Sequence, residues 1–221
     1  MKFLFKYPTR GRPEQFKETL NEWIDKLSGK HEYHFFITMD VDDPTMNNGV
    51  MWQYLDNVSR KVFYNYGNHA SKVEAVNADM DSSLNKDFDI LVLVSDDMLP
   101  VVKDYDDFIA DAMQGYYPDL DGALNFFDGL NGNPDCCTLT IMGRKLYERF
   151  GYIYHPSYLG THCDNEFTDD CREMGKIVWF ADCIISHNWR GSYYDALSQR
   201  DTKNFATDRA NYEARKEERE C

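Results

Sequence analysis

The sequence predicts a single α/β domain built on a mixed, mostly parallel sheet flanked by helices. Three observations carry this. The run Phe88-Asp89-Ile90-Leu91-Val92-Leu93-Val94 is continuously apolar from Ile90 onward, the pattern of a strand covered on both faces. Strand-like and helical periodicities alternate through the first half of the chain. Its 221 residues suffice for one substantial core.

The elements follow in order. Lys2 to Lys6 reads as a first strand, ending in the loop Tyr7-Pro8-Thr9-Arg10-Gly11-Arg12. Pro13 suits a first helical turn, Phe16, Leu20, Trp23, Ile24 and Leu27 recur at helical spacing, and Gly29 is the stop. Tyr33 to Met39 is a second strand closed by the acidic turn Asp40-Val41-Asp42-Asp43-Pro44. Val62 to Tyr66 is a third, and after Gly67-Asn68-His69 a helix is expected over Lys72 to Met80. The apolar run is the fourth strand. Beyond it, Asp106 to Met113 predicts a helix, Asp121 to Phe127 a strand, Gly129 to Pro134 a loop, Thr138 to Met142 a short strand and Arg144 to Phe150 a helix. Lys176 to Ser186 predicts a late strand or strand pair leading into His187, with Trp179 in the core. These elements make one domain over residues 1–194. Residues 195–221 form a charged helical tail, with Arg209 to Glu220 expected as a solvated helix.

Acidic residues outnumber basic ones by 38 to 24, a net charge of −14, which disfavours extended contact with a nucleic-acid backbone or an anionic membrane. Cys136, Cys137, Cys163, Cys171, Cys183 and Cys221 form neither a Cys-x-x-Cys pair nor a Cys/His ladder, so reduced thiols in a cytoplasm are expected instead of structural zinc. The apolar patch at the start is too short for a signal peptide and no window approaches a membrane span, which predicts a soluble cytoplasmic protein with no membrane segment.

The chemistry is expected where the fourth strand stops at Ser95-Asp96-Asp97. Ligands gather at the carboxyl ends of parallel strands, and two adjacent carboxylates held there need a cation or polar donors to stay ionised together. A hard divalent metal carrying a phosphate satisfies that need.

In its order of parts, the chain resembles the GT-A glycosyltransferases, the Rossmann-like fold that includes the inverting enzymes of glycosyltransferase family two. The shared parts are the first-strand loop Tyr7 to Pro13, Asp40 ending the second strand, the helix from Lys72, and Ser95-Asp96-Asp97 in place of an Asp-x-Asp motif. Asp164-Asn165-Glu166 and then His187 complete the series, over residues 2 to 190. The resemblance implies a metal-dependent inverting transfer from a nucleotide-diphosphate sugar, a UDP-sugar by Asp40, to an acceptor hydroxyl.

It further implies roles. Asp97 ligates Mn²⁺ or Mg²⁺, His187 completes the metal shell, and Asp96 sits nearer the ribose or a metal-bound water. Pro8, Thr9, Arg10 and Arg12 surround the donor's base and phosphates, Asp40 accepts a hydrogen bond from the base, Lys72 reaches the phosphates or ribose, and Arg190 reaches the phosphates. Asp164 is the general base toward the acceptor, with Glu166 the competing choice. Asn125, Phe126 and Asp128 stand near the donor sugar without a local pattern that selects a role. Tyr152, Tyr154, His155, Tyr158 and His162 are read chiefly as packing under a loop.

Each assignment has a plainer counterpart. The Asp pair could be a solvated turn, the arginines and Lys72 surface cations, His187 structural, and Asp164 and Glu166 charges favoured at a helix N-terminus. Two rival functions remain open: a sugar-phosphate nucleotidyltransferase, and a non-catalytic nucleotide- or sugar-binding module. The acceptor is expected to be soluble: a glycan, a protein or a modified nucleic-acid base.

Overall fold

A computed structural model describes residues 1–130, 134–187 and 196–220. Among them the strands form a seven-stranded sheet in the order β3-β2-β1-β4-β7-β6-β8 and a separate two-stranded pair, β5-β9. The first half supplies β1 (Lys2–Pro8), α1 (Pro13–Asp25), β2 (Glu32–Asp40), α2 (Gly49–Val58), β3 (Val62–Gly67), α3 (Lys72–Asn77) and β4 (Ile90–Leu93). Then come β5 (Met98–Pro100), α4 (Tyr105–Tyr116), β6 (Ala123–Phe126), β7 (Ile141–Gly143), α5 (Arg144–Phe150), α6 (Cys163–Glu173), β8 (Ile177–Phe180), β9 (Ile185–His187) and α7 (Ala196–Glu220).

β1 to β4 are mutually parallel, β7 runs antiparallel to β4 and β6, and β6 is parallel to β8. The chain lays down β1, β2 and β3 in one direction and then returns to place β4 on the other side of β1. That reversal opens a crevice between the carboxyl ends of β1 and β4, where ligands bind in open α/β sheets.

Both faces of the sheet are covered, as the fourth-strand run predicted. Phe3, Phe5 and Tyr7 of β1 pack with Phe16, Leu20 and Trp23 of α1 and with Tyr105 and Ile109 of α4. Leu4 points the other way, into a cluster with Val73 and Val76 of α3, Leu146 of α5 and Phe167 of α6. Phe5 stacks on Phe35 at 4.5 Å and meets Trp23 at 5.9 Å. Leu91 and Val92 are fully buried on opposite faces, and each such side chain contributes about 1.5–3 kcal/mol.

Several expectations change. α2 was not anticipated; Asn48 caps it by accepting from the Val50 and Met51 N–H groups at 3.1 Å. α3 ends at Asn77 instead of Met80, and Asp79 turns the chain at φ 63°. Trp179, expected in the core, is 38 % exposed on β8, at the edge of the sheet. Lys6 is fully buried in the sheet, its ammonium over the Phe36 ring and donating to Thr38 Oγ1.

α7 is not a purely solvated helix. Asp208 is fully buried, and Arg215, Arg219 and Tyr212 dock the helix on α6 through Glu166, Asp170 and Asp169. No helix among the described residues is long and apolar enough to cross a membrane.

Candidate functional site

β4 delivers the carboxylate pair on a tight turn. Val94 is fully buried, and the Met98 N–H then closes on the Ser95 carbonyl at 3.2 Å, leaving Asp96 and Asp97 at the turn's two central positions. α1 fixes the turn's backbone from beneath. Gln15 Nε2 donates to the Asp96 carbonyl at 2.8 Å and Trp23 Nε1 to the Met98 carbonyl at 3.0 Å.

β5 leaves this turn and pairs antiparallel with β9, setting Met98 opposite His187. His187 Nε2 thereby reaches 3.4 Å from Asp97 Oδ2. Its Nδ1 lies 3.7 Å from Asp128 Oδ2, and the His187 N–H donates to the Asp128 carbonyl at 2.7 Å. Thr138 Oγ1 donates to the same Asp128 oxygen at 2.7 Å. Asp128 is therefore built into the site. The signal for it was its place at the end of β6, which runs parallel to β4 and finishes at the same edge of the sheet.

The two adjacent carboxylates are pushed in opposite directions. At Asp97 burial favours the neutral acid, but His187, Ser95 and Lys72 outweigh it and hold the carboxyl well below its usual range. At Asp96 burial dominates and, with repulsion from Asp97, pushes the group up to about 6 against the pull of Arg12. Arg12 Nη1 bonds Asp96 Oδ1 at 3.0 Å across the β1/β4 crevice. Arg12 thus reaches the carboxylate pair from the first-strand loop.

The donor set at Asp97 and His187 fits a hard divalent cation. Oxygen or nitrogen ligands at about 2.1 Å from a six-coordinate ion stand about 3 Å apart, close to the 3.4 Å between Asp97 Oδ2 and His187 Nε2. A second group, His31, Asp106 and Asp107, has ligand atoms within 4.8 Å of one another. His31 precedes β2, and Asp106 and Asp107 open α4, away from the carboxyl ends of the parallel strands. There Lys30 pairs with Asp107, and Ser28 donates to Asp106 through its N–H and Oγ at 2.8 Å.

Beside the pair, the ends of β1, β2 and β3 form a second corner. Arg10 Nη1 donates to Asp40 Oδ2 at 2.7 Å and to Asp42 Oδ1 at 2.5 Å. Asp40 Oδ1 accepts from His69 Nδ1 at 2.7 Å and from the His69 N–H at 3.2 Å. With about two lone pairs per carboxylate oxygen, one acceptor position is left, on Oδ2. His69 was missed in the sequence. Its ring lies where a Cβ on Gly67 would come within 2.5 Å, which explains the glycine at the end of β3. Pro8 ends β1, and the Thr9 N–H bonds the Thr38 carbonyl at 3.0 Å. Thr9 Oγ1 is buried without a hydrogen-bond partner among the described residues, an arrangement that costs stability unless a ligand engages it.

Lys72 opens α3, its N–H bonded to the Leu159 carbonyl at 3.0 Å. Its charge favours the ionised forms of Asp96, Asp97 and Cys163. Asp164 is the second residue of α6, partly exposed, with Oδ1 accepting the Asn165 N–H at 3.0 Å. Burial, followed by the nearby Asp164 carboxylate, raises the Cys136 thiol.

Glu166 has a different environment. It is 1 % exposed, accepts from Tyr158 Oη at 2.5 Å, and is gripped by Arg215 Nε and Nη2 at 2.8 and 2.9 Å, with Arg219 Nη1 at 3.2 Å. Burial opposes its charge, but Arg215, Tyr158 and Arg219 hold it ionised below its usual range. This carboxylate is engaged by Tyr158 and by the two arginines of α7, whereas Asp164 makes no such ion pair among the described residues. Tyr154 and Tyr158 are buried packing, bonded to Thr140 and Glu166, as expected of the aromatic cluster. Arg190 lies outside the described residues.

The sheet order, the β1/β4 switch and the carboxylate corner define a GT-A-like α/β fold. The mannosyltransferase PcManGT from Pyrobaculum calidifontis, solved with GDP-Man and Mn²⁺, superposes with a TM-score of 0.69 at 14 % identity, over 95 % of this chain and 63 % of that one. Residues 1–349 of TarS from S. aureus, solved with UDP-GlcNAc, give 0.65 at 14 % identity, over 90 % and 61 %. A CMP:2-keto-3-deoxy-manno-octonic acid synthetase complexed with CTP gives 0.55 at 10 % identity, over 95 % and 100 %. The chain spans about three-fifths of the length of the PcManGT and TarS chains. No family model and no curated protein matches it in sequence.

Proposed function

We propose that this protein is a metal-dependent inverting glycosyltransferase that moves a sugar from a nucleoside-diphosphate donor to an acceptor hydroxyl. The observation that carries this reading is the meeting of Asp97 and His187 at 3.4 Å beside the β1/β4 crevice, in a fold shared with two nucleotide-sugar transferases.

In this account Asp97 and His187 hold the Mn²⁺ or Mg²⁺, with Asp128 and Ser95 orienting them. The ion supplies Lewis-acid neutralisation of the diphosphate leaving group. Thr9 and Arg10 line the nucleotide with Asp40 and His69, Lys72 adds positive charge toward the phosphates, and Arg12 keeps Asp96 in place at the ribose end. Asp164 accepts the proton of the acceptor hydroxyl as its oxygen bonds the anomeric carbon. The bond from that carbon to the diphosphate oxygen breaks, the nucleoside diphosphate departs, and the anomeric centre inverts. The free acceptor position on Asp40 suits the N–H of a uracil ring, which favours a UDP-sugar. The fold relatives do not choose the base, since one was solved with GDP-Man and another with UDP-GlcNAc. A glycan, a protein or a modified nucleic-acid base is the acceptor class.

The similarity to the CTP-bound synthetase favours a second reading, sugar-phosphate nucleotidyl transfer. Product analysis separates the two. Nucleoside diphosphate released from a nucleotide sugar in the presence of Mn²⁺, and lost in Asp97→Ala, supports glycosyl transfer. Pyrophosphate released from a nucleoside triphosphate supports the alternative and overturns the first.

A further inference from the structure

The C-terminal helix carries a buried carboxylate that the proposed reaction leaves unused. Asp208 of α7 is fully buried. Its Oδ1 accepts the Leu159 N–H at 2.9 Å, and its Oδ2 accepts the Gly160 N–H at 2.9 Å, the Thr161 N–H at 2.8 Å and Thr161 Oγ1 at 3.1 Å. Three successive N–H groups turned toward one point form an anion-binding concavity. Here the anion comes from the chain's own tail.

The clamped segment has two outlets. Upstream, the Leu159 carbonyl accepts the N–H groups of Lys72 and Val73 at 3.0 and 3.4 Å, which caps α3 where the candidate phosphate-side lysine sits. Downstream, the chain turns through His162, at φ 58°, and enters α6 with Cys163 and Asp164. The His162 ring stacks on Tyr212 of α7 at 5.8 Å and packs on Phe205 at 4.8 Å. Lys72 and Asp164 therefore depend on one three-residue loop, and that loop is shaped by Asp208.

We propose that Asp208 is a positioning residue, and that α7 couples the donor side of the site at Lys72 to the acceptor side at Asp164 through the loop 159–161. The kinetic part of this proposal rests on the transferase reading above; the coupling does not. A helix serving only as a stabilising cover would affect Lys72 and Asp164 no more than any other part of the fold.

Hydrogen exchange and kinetics on the full chain test it, comparing Asp208→Asn with Arg215→Met, which loosens α7 from α6 without touching the loop. In ligand-free protein, Asp208→Asn is expected to speed exchange by about tenfold or more in both 159–165 and 72–76, whereas Arg215→Met speeds it in 208–220 and leaves 72–76 protected. Thr161→Val, which removes only the hydroxyl bond, is expected to give the same pattern more weakly and serves if Asp208→Asn does not fold. Transfer kcat is expected to fall about tenfold or more in Asp208→Asn with donor KM within about threefold, since small misplacements of reacting groups are felt in turnover. Unchanged exchange at 72–76 overturns the coupling, and an unchanged kcat overturns the positioning role. If the wild-type protein transfers from no donor, the transferase reading falls while exchange still decides the coupling.

Discussion

Asp97 Oδ2 and His187 Nε2 stand 3.4 Å apart although they come from opposite halves of the chain, joined by the β5-β9 pair that sets Met98 opposite His187. Asp128 faces the other imidazole nitrogen at 3.7 Å and is itself held by Thr138. Such outer partners orient a metal-binding imidazole, and losing one typically weakens metal affinity by about 10–100-fold. Asp128→Asn is accordingly expected to weaken Mn²⁺ binding within that range, read by calorimetric titration. Affinity equal to wild type would show that Asp128 does not orient His187.

Asp164 and Glu166 are separable by what each loses. Glu166→Gln leaves the two arginines of α7 facing a neutral partner, and breaking a buried pair costs about 3–5 kcal/mol. That variant should lose stability in denaturant melts yet keep turnover once folded. Asp164→Asn should keep its melting temperature and lose turnover by about 100-fold or more. The opposite pattern would move the base assignment to Glu166.

Lys6 gives the fold a pH signature. Burial lowers its ammonium to about 7, with Asp79 opposing the shift. The unfolded chain holds that proton to near 10.5 and the folded chain releases it near 7, so between these values the unfolded state binds more protons and stability rises with pH. Lys6→Met removes this contribution. Its stability relative to wild type should be highest below pH 7 and decline toward pH 10, measured by urea denaturation of both proteins across that range. A difference that stays constant with pH would contradict the buried, deprotonating lysine.

Gly67→Ala tests the proposed nucleotide corner at Asp40 and His69. The new Cβ would lie 2.5 Å from the His69 ring, which must move and release Asp40. Overpacking of this kind costs about 1–3 kcal/mol, and nucleotide affinity should fall with it. Wild-type stability and affinity together would mean that His69 is not fixed as described.

The corner at Ser95-Asp96-Asp97 was legible because a strand buried on both faces leaves a continuous apolar run, and the end of such a run marks the ligand edge of a sheet. β5 was not legible, since Met98-Leu99-Pro100 is too short to show a period and contains a proline. α2 left a readable signal in Asn48 and in Met51, Leu55 and Val58, blurred by exposed Val50 and Trp52. Asp164 and Glu166 looked equivalent in sequence, yet two residues along a helix turn side chains about 200° apart, so the pairing of Glu166 with the arginines of α7 is not shared by Asp164. Asp208 gave no signal because α7 docks through ion pairs and one buried carboxylate, without an apolar stripe.

The most direct measurement is thermal unfolding with UDP- and GDP-sugars, each with and without Mn²⁺, for wild type and Asp97→Asn. A ligand that binds only the folded state at about 100 times its Kd adds about 2.7 kcal/mol. The account predicts a rise in Tm that requires both a donor and Mn²⁺ in the wild-type protein and disappears in Asp97→Asn. No rise with any donor, or a rise that persists in Asp97→Asn, would contradict it.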